Sequence, residues 1–505
     1  MNIKWGDYGF FTRGIAFYDA IADRNRLADA SNLATYARPY NGRLRPNAQD
    51  ETRHGAEILD WYAYATFYPF GNPLNIRAGN QVITWGEALV TQNAINIINP
   101  LDLQKFTVPG AEIRDGLVPV QSVFASYEVI EGLTVEGFYV WDFTSLRLNP
   151  AGTFFAGGID AYGAGAVGDN GVGVGSDCIL PEAPAGANPA AHLPCLRTTW
   201  ERDDGFEGDW GFAVRYFSPE LNNSDLAFYW ARYTDRFGGF SIQVPNVLTG
   251  TVTDYANSTT FRDFPQRTTL YGFSFNTLFE QIGTSFAGEV SFKKDAPALV
   301  DNGNVWFANF ITGLGTGAPF PLPSQDANAP AFGSATPGQI YAMARPIDTW
   351  NVNLRALKIL TSSTPLPVLI GSDDVTVIVE ASANFADIPE SGQLPFGPGG
   401  TYAGTNQPNR WASSFSWGYT LIANASYPAA FGPINLNPGI AFSHGVQGIT
   451  PTWGGWQEKV KAINFSLQGQ YLLNTTATVN YAHSWDGGYH RGSRNFIGLT
   501  INHQF

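Results

Sequence analysis

The sequence predicts an all-β fold: a transmembrane, antiparallel, up-and-down β-barrel of about 16 strands, within a range of about 14–18, formed by residues 1–505 as a single domain. Three observations lead to this prediction. Apolar and polar residues alternate along many short segments. The connections between those segments alternate in length. The composition is rich in aromatic residues and poor in charged ones.

The composition excludes several other classes of protein. Aromatic residues make up 14% of the chain and charged residues only 14%, whereas soluble domains carry roughly a quarter charged residues. No run approaches the roughly 18 apolar residues that a membrane helix needs. The net charge of −14 argues against nucleic acid as a partner, because binding to phosphates requires a basic surface.

The alternation is clearest at the C-terminus. Segments 461–471, 475–485 and 495–505 carry mostly apolar residues at odd positions and mostly polar or small residues at even positions. A period of two is typical of strands with one apolar and one polar face. The apolar face would pack on a core in a soluble sandwich and meet lipid in a membrane barrel, so this pattern alone leaves both folds open.

Sixteen segments of this kind follow one another along the chain. We predict strands at 3–17, 57–69, 73–84, 120–130, 132–142, 209–218, 224–235, 267–277, 282–294, 348–360, 372–386, 411–427, 433–446, 458–472, 475–485 and 495–505.

The connections decide between the two folds. Long connections, such as 85–119, 143–208 and 295–347, alternate without exception with short ones, such as 70–72 and 219–223. Outer-membrane barrels have long extracellular loops and short periplasmic turns, whereas a soluble sandwich has no reason to follow this parity. Aromatic residues also cluster at the strand ends, where interfacial girdles are expected, and the chain ends in Phe505.

One segment carries a resemblance to a known family. Residues 75–87 read Asn-Ile-Arg-Ala-Gly-Asn-Gln-Val-Ile-Thr-Trp-Gly-Glu, and Asn93, residues 95–103 and residues 109–112 continue the pattern. With 135–139, 152–155, 444–448 and 487–488, this segment resembles the proteobacterial outer-membrane proteins grouped as domain of unknown function 1302. The resemblance implies an outer-membrane barrel, often encoded beside an RND-type transporter and a partner lipoprotein, with some relatives linked to uptake of alkanes or other hydrophobic compounds.

Segment 85–119 is too apolar for an exposed loop. A barrel of about 16 strands encloses an aqueous lumen unless something fills it. We therefore predict that this loop folds inward as a constriction or hatch, although a cap on the rim is an alternative. The residues expected to form the constriction and line the ligand path, with the three asparagines satisfying backbone groups, are Trp85, Glu87, Asn93, Asn96, Asn99, Pro100 and Phe106.

Two large extracellular loops carry further candidate features. Loop 295–347 contains an apolar patch, which indicates ligand binding, an oligomer contact or mutual packing among loops. Loop 143–208 holds the two cysteines, Cys178 and Cys195, which an oxidising compartment would join in a disulfide. The patch residues are Trp306, Phe307, Phe310, Ile311 and Phe320.

Metal binding and catalysis have little support in the sequence. The glycine-rich run 163–177 lacks the lysine of a phosphate-binding loop, and a flexible loop explains its acidic residues better than Ca²⁺ does. No cofactor is otherwise expected. Register places His444 and His483 on the lipid-facing side, and no His, Ser and Asp are brought together, so we do not expect an enzyme.

These observations together favour an outer-membrane channel for passive uptake of a small hydrophobic ligand. A general or sugar-selective water-filled porin is an alternative, as is a structural barrel that docks an envelope transport complex. The expected partners are outer-membrane lipid, lipopolysaccharide, and a periplasmic lipoprotein or RND-type transporter. The chain starts Met-Asn-Ile-Lys-Trp, so export implies a signal peptide that has been removed or is absent from this numbering.

Overall fold

The protein is described by a computed structural model. The residues that the structure describes are 1–23, 46–91, 94–107, 116–150, 153, 178–179, 193–194, 197–198, 206–243, 245–247, 259–264, 267–299, 337–342, 344–388, 412–472, 474–486 and 495–503.

Antiparallel strands dominate the fold. The 17 strands of the main sheet are β1 (Asn2–Trp5), β2 (Tyr8–Tyr18), β3 (His54–Phe67), β4 (Leu74–Gln81), β5 (Val120–Ile130), β6 (Leu133–Val140), β10 (Asp209–Ser218), β11 (Ser224–Thr234), β14 (Arg267–Phe279), β15 (Thr284–Leu299), β17 (Ala344–Thr361), β18 (Asp374–Ala386), β19 (Phe415–Phe431), β20 (Ile434–Gln447), β21 (Val460–Tyr471), β22 (Thr475–Asp486) and β23 (Phe496–His503).

Short strands in the long connections form two small sheets. One pairs β7 (Cys178–Ile179) with β8 (Leu193–Pro194). The other joins β9 (Arg197–Thr198), β12 (Gly239–Gln243), β13 (Thr259–Asp263) and β16 (Ile340–Ala342).

Each strand of the main sheet pairs with the next one along the chain, from β1 to β23, in an up-and-down order. This confirms the predicted fold class, and the strand count falls within the predicted range. The first predicted strand is a hairpin instead, because the chain turns at Gly6, where φ is +61°, between β1 and β2. No ladder pair among the described residues joins β1 to β23.

Helices are short and lie at strand ends. The α-helices are Ala20–Asp23, Pro46–Arg53, Leu103–Thr107 and Pro365–Ile370, and the 3₁₀ helices are Pro69–Gly71, Pro219–Leu221 and Glu280–Ile282. In the described part of the chain, no helix has the length and apolar character to cross a bilayer.

The outer face of the sheet is an exposed apolar surface. Large apolar side chains at alternate positions of successive strands are left uncovered, as lipid contact requires. Examples are Trp210, Phe212, Phe228, Tyr271, Trp350, Leu354, Leu421, Phe465, Leu467, Val479, Tyr481, Ile497, Leu499 and Ile501.

The sheet curls around the connection that follows β4. Trp85 bonds to Glu136 on β6, and Leu89 bonds to Glu380 on β18. Along a flat sheet β6 and β18 would be about 29 Å apart, at about 4.8 Å per strand. The backbone from residue 85 to 89 spans at most about 14 Å. The rings of Phe237, after β11, and Trp453, after β20, are also in contact, so the strands between β6 and β18 wrap around this connection, as the wall of a barrel does.

Candidate functional site: a loop docked on the inner face

The long connections lie at one end of the sheet, which we call the long-loop end, and the short turns lie at the other. The chain after β4 starts at the long-loop end and turns back against the inner face of the sheet. We call residues 82–102 the hatch loop. Its turn depends on Gly86, whose φ is +86° and whose missing side chain leaves room for a carboxylate of the wall. A Cβ at this position would lie 2.6 Å from Glu289 Oε2 and 2.9 Å from Ile95 Cβ. The backbone therefore passes directly over Glu289 because residue 86 has no side chain.

An apolar cluster holds the first part of the hatch loop on the wall. Trp85 is fully buried, with its ring 4.9 Å from that of Phe138 on β6 and 5.5 Å from that of Tyr229 on β11. The indole Nε1 donates to Glu136 Oε2 at 2.9 Å, so the polar edge of the ring is also satisfied. Ile95 is completely buried in the same cluster.

Two buried glutamates of the wall bind the backbone of the hatch loop. Glu289 on β15 accepts the backbone N–H of Glu87 at 2.5 Å and of Ala88 at 3.1 Å through Oε2. Its other oxygen, Oε1, accepts the N–H of Ile95 at 2.8 Å. One carboxylate thus ties together both sides of the loop. Hydrogen bonds to a charged acceptor are about twice as strong as neutral ones.

Glu380 on β18 binds the tip of the loop in the same way. Its Oε2 accepts the N–H of Leu89 at 2.8 Å. Its Oε1 accepts the N–H groups of Val90 and Thr91 and the Thr91 hydroxyl, at 2.8–3.0 Å. Asn353 also donates to Thr91 Oγ1 at 2.9 Å. The tip is therefore fixed to the wall through its backbone, and the side chains of Leu89 and Val90 remain exposed.

Glu87 adds a charged contact on the loop itself. Its Oε2 lies 3.6 Å from the Arg355 guanidinium and accepts from Asn276 Nδ2 at 3.1 Å. Burial raises the pKa of the Glu87 carboxyl, and the positive charge of Arg355 opposes that increase. The carboxyl is thus held partly out of water by loop docking.

The return of the hatch loop is anchored by Asn99. Its Oδ1 accepts from the N–H of Ile83 at 2.8 Å, and its Nδ2 donates to the Val118 carbonyl at 2.9 Å. Arg236, which forms a 2.6 Å ion pair with Asp209, also donates to the carbonyl of residue 98 at 3.2 Å. The two ends of the loop are thus bonded to each other, to Val118 before β5 and to Arg236, which follows β11 and is paired with Asp209 of β10.

The other residues predicted for the constriction take varied places. Pro100 is buried and its carbonyl accepts from the N–H of Val118 at 2.8 Å. Asn96 is half-buried. Phe106 lies in the helix Leu103–Thr107, but its side chain is outside the description, and Asn93 lies outside the described residues altogether. The structure therefore places Trp85, Glu87 and Asn99 on the inner face and in one contact network.

A second apolar cluster bridges the long-loop end. Phe237, after β11, stacks on Trp453, between β20 and β21, with ring centroids 5.2 Å apart. Loops from opposite sides of the wall thus meet over the hatch loop. The cluster contains Leu101, Leu103, Leu146, Leu148, Phe237 and Trp453.

The wall strands that follow β18 carry few charged groups on the inner face. On the inner face, Glu380 is followed across the sheet by Thr420 on β19, Ser443 on β20, Ala462 on β21 and Ser484 on β22. The rows on its short-turn side continue in the same way, with Asn424, Asn464, Ser466, Gln468, Gln470, Thr476, Thr478, Asn480 and Thr500. Hydroxyl and amide groups therefore predominate on the inner face of β19 to β22.

Sequence reasoning missed the wall residues that bind the loop. Glu136, Glu289 and Glu380 lie 51 to 291 positions from the loop residues that they contact. A signal was present in the sequence, because each is an acid at an inward position whose immediate neighbours along the strand are mostly apolar or small. Such an acid needs donors when it is buried.

Several other predicted features fall outside the description. Residues 300–336 are not described, so the patch at Trp306, Phe307, Phe310, Ile311 and Phe320 stays a prediction. Cys195 is also outside, and no disulfide is seen among the described residues, so its bond to Cys178 stays a prediction as well. The glycine-rich run 163–177, for which the sequence favours a flexible loop over a Ca²⁺ site, also lies outside the described residues.

His444 and His483 occupy the outer-face register, as predicted. His444 lies opposite Tyr419 and Lys461, and His483 packs edge-on against Trp485 with ring centroids 4.2 Å apart. Neither contacts the hatch loop in the described part of the chain.

Comparison with known proteins gives one family match over the full length. The family model described as "Protein of unknown function (DUF1302)" matches residues 1–505. No curated protein matches. Among solved structures, the chain is similar to Acinetobacter baumannii OccAB1, with 12% identity, coverage of 99% of this chain and 86% of that one, and a TM-score of 0.39.

Two further structures show a similar degree of likeness. Acinetobacter baumannii OccAB3 has 11% identity, coverage of 100% and 89%, and a TM-score of 0.39. Pseudomonas aeruginosa OccK1 (OpdK) has 8% identity, coverage of 99% and 87%, and a TM-score of 0.36.

Proposed function

The chain belongs to the DUF1302 family, and we propose that it is an outer-membrane channel for passive uptake of small hydrophobic compounds, with the hatch loop narrowing its lumen. The observation that carries this proposal is the docking of the hatch loop on Glu289 and Glu380. A segment that only capped the rim would not reach inner-face carboxylates on β15 and β18.

The exposed apolar outer face supports a place in the outer membrane. An uncovered band of aromatic and aliphatic side chains is stable against lipid tails and unfavourable against water. Strands β19 to β22 carry mostly neutral polar or small side chains on the inner face, as a water-filled lumen allows. Lipid and lipopolysaccharide are therefore the expected surroundings.

The wall beyond the hatch tip, on β19 to β22, supports the passage of a hydrophobic solute at this point of the lumen. Leu89 and Val90, at the tip of the hatch loop, are 36% and 40% exposed although their backbones are fixed to the wall. The wall strands that follow β18 carry mostly hydroxyl, amide and small side chains on their inner face. A small apolar molecule can contact the tip without displacing a tightly held hydration shell.

A water-filled general or sugar-selective porin is the first alternative, and the neutral polar wall is the observation in its favour. A barrel that docks a periplasmic lipoprotein or RND-type transporter is the second, and it derives from family resemblance. The two alternatives differ from the proposal in what crosses the membrane.

Uptake by a porin-deficient Gram-negative host expressing the protein tests the proposal. Toluene and a sugar of similar size, such as xylose, serve as probes. We expect the protein to raise toluene uptake and leave xylose uptake near the background. Equal increases for both probes would indicate the general porin, and no increase for either would indicate the docking barrel.

A Leu89→Asn, Val90→Asn double variant links the uptake to the hatch tip. Both substitutions keep the backbone bonds to Glu380 and remove the apolar contact surface. We expect toluene uptake to fall while barrel assembly, measured by heat-modifiable migration on gels, is unchanged.

A further inference from the structure

A second site lies on the inner face of β1 to β5, on the short-turn side of the hatch loop. A cavity of about 330 Å³ is lined there by Asn2, Phe11, Tyr62, Tyr64, Ala65, Thr66, Asn75, Ile76 and Arg77. Its volume is at the lower end of the range of small-molecule sites, about 300–1,000 Å³. The Thr66 and Asn75 pair, bonded at 2.8 Å, adjoins the turn between β3 and β4.

Arg77 is the charged group of this cavity. Its guanidinium carbon lies 4.6 Å from the ring centre of Phe124 and 5.7 Å from that of Tyr62. The faces of two aromatic rings hold the cation in place, and no side chain or carbonyl of the described residues accepts a hydrogen bond from its N–H edges. Such a fork matches the two oxygens of a carboxylate.

Other inner-face arginines are neutralised by acids of the protein. Arg13 pairs with Asp60 at 2.6 Å, and Arg215 pairs with Glu136 at 3.0 Å. In the part of the chain that the structure describes, no carboxylate lies within salt-bridge distance of Arg77. This cation is therefore available to an anion that enters the lumen.

The walls of the cavity supply an apolar surface beside the cation. Phe11 and Tyr62 lie opposite each other on β2 and β3, with ring centres 5.3 Å apart and planes inclined by 31°. Tyr64 completes this aromatic surface, and its hydroxyl is occupied by Asn2 Oδ1 at 2.9 Å. A flat apolar body can lie on these rings while its anionic end reaches Arg77.

We propose that this cavity binds small organic carboxylates that carry a flat apolar body, with Arg77 holding the carboxylate and the Phe11 and Tyr62 rings holding the body. As a step in uptake, the site rests on the proposed channel function and would receive solutes after they pass the hatch loop. As a binding site, it rests only on the geometry above.

Binding to the purified full-length protein in detergent tests the proposal. Benzoate is the probe, benzyl alcohol lacks its charge, and acetate lacks its ring. We expect benzoate to bind at least tenfold more tightly than either, as saturation-transfer NMR and calorimetry would show. Equal affinity of acetate and benzoate, equal affinity of benzyl alcohol and benzoate, or no benzoate binding at millimolar concentration would overturn the proposal.

Variants locate the binding. Arg77→Gln should raise the Kd of benzoate about tenfold to a hundredfold, because hydrogen bonds to charged groups are lost. Tyr62→Leu should weaken benzoate and leave acetate unchanged. Lys358→Gln, which removes a positive charge from the outer-face register of β17, is the matched control and should bind like the native protein. An unchanged Kd in correctly assembled Arg77→Gln would refute the assignment.

The outcome can be separated from that of the proposed function. Toluene carries no charge, so its uptake should be the same in Arg77→Gln and in the native protein. Benzoate binding without toluene uptake would support the carboxylate site and refute the hydrophobic channel. Toluene uptake without benzoate binding would support the hydrophobic channel and refute the carboxylate site.

Discussion

Removing the Glu380 carboxylate should release the tip of the hatch loop. Four donors converge on this side chain, with three on Oε1 and one on Oε2, and the residue is 2% exposed. Glu380→Gln keeps one acceptor oxygen and turns an amide N–H₂ toward the remaining donor. Glu380→Ala removes all four bonds.

The magnitude follows from the number of bonds lost. A hydrogen bond to a charged group contributes about 1.5–3 kcal/mol, so the single bond lost in Glu380→Gln shifts the ratio of docked to undocked loop by roughly tenfold to a hundredfold. Glu380→Ala should shift it further, since it removes all four bonds. The tip would then leave the wall, where its donors can reach water.

Single-channel recording in planar bilayers measures this shift. We expect the open probability to rise from native protein to Glu380→Gln and again to Glu380→Ala. Glu220→Gln is the matched control, because Glu220 is an exposed residue of the turn Pro219–Leu221 and its loss should change nothing. Native-like conductance and gating in correctly assembled Glu380→Ala would refute the role of this carboxylate in holding the loop.

Three further predictions concern the same loop. Gly86→Ala should undock the hatch loop, because a Cβ would lie 2.6 Å from Glu289 Oε2 and φ at this position is +86°. The strain should destabilise the docked state by about 1–3 kcal/mol, which would be measured as increased channel opening. Trp85→Phe should lower the free energy of unfolding of the barrel by about 1–3 kcal/mol, because Glu136 loses its hydrogen-bond donor. An unchanged melting temperature would contradict this. The pKa of Glu87 is raised above its ordinary value of 4.5 in the docked loop, so protonation of this carboxyl stabilises the docked state. The stabilisation is complete below the ordinary pKa and is lost as the pH rises through the raised pKa of the docked loop. Acidification should therefore close the channel, and Glu87→Gln should flatten this pH dependence.

The strands were predictable because a two-residue period is a local property. Fifteen predicted strands each match one observed strand to within a few residues, since one side of each had to be apolar. The exception was the first, where the turn at Gly6 interrupts a run that still alternates. Inward folding of the loop after β4 was expected from its apolar residues alone.

The partners of that loop were not predictable, for a physical reason. Contacts between residue 88 and Glu289, or residue 90 and Glu380, depend on how the sheet curls, and curl is set by all the strands together. Alternation indicates that both glutamates face inward but not which segment will cover them. The same limit applies to Arg77, because only the three-dimensional structure shows that no acid among the described residues pairs with it.

The most direct measurement of the central claim is the conductance of the barrel with and without its hatch loop. Residues 86–95 would be replaced by a short glycine–serine linker, and native and shortened proteins compared in planar bilayers after the same assembly check. We predict that the native protein is closed or weakly conducting and that the shortened one opens pores of nanosiemens size. Large, steady currents from the native protein, unchanged by the deletion, would contradict a loop that constricts the lumen.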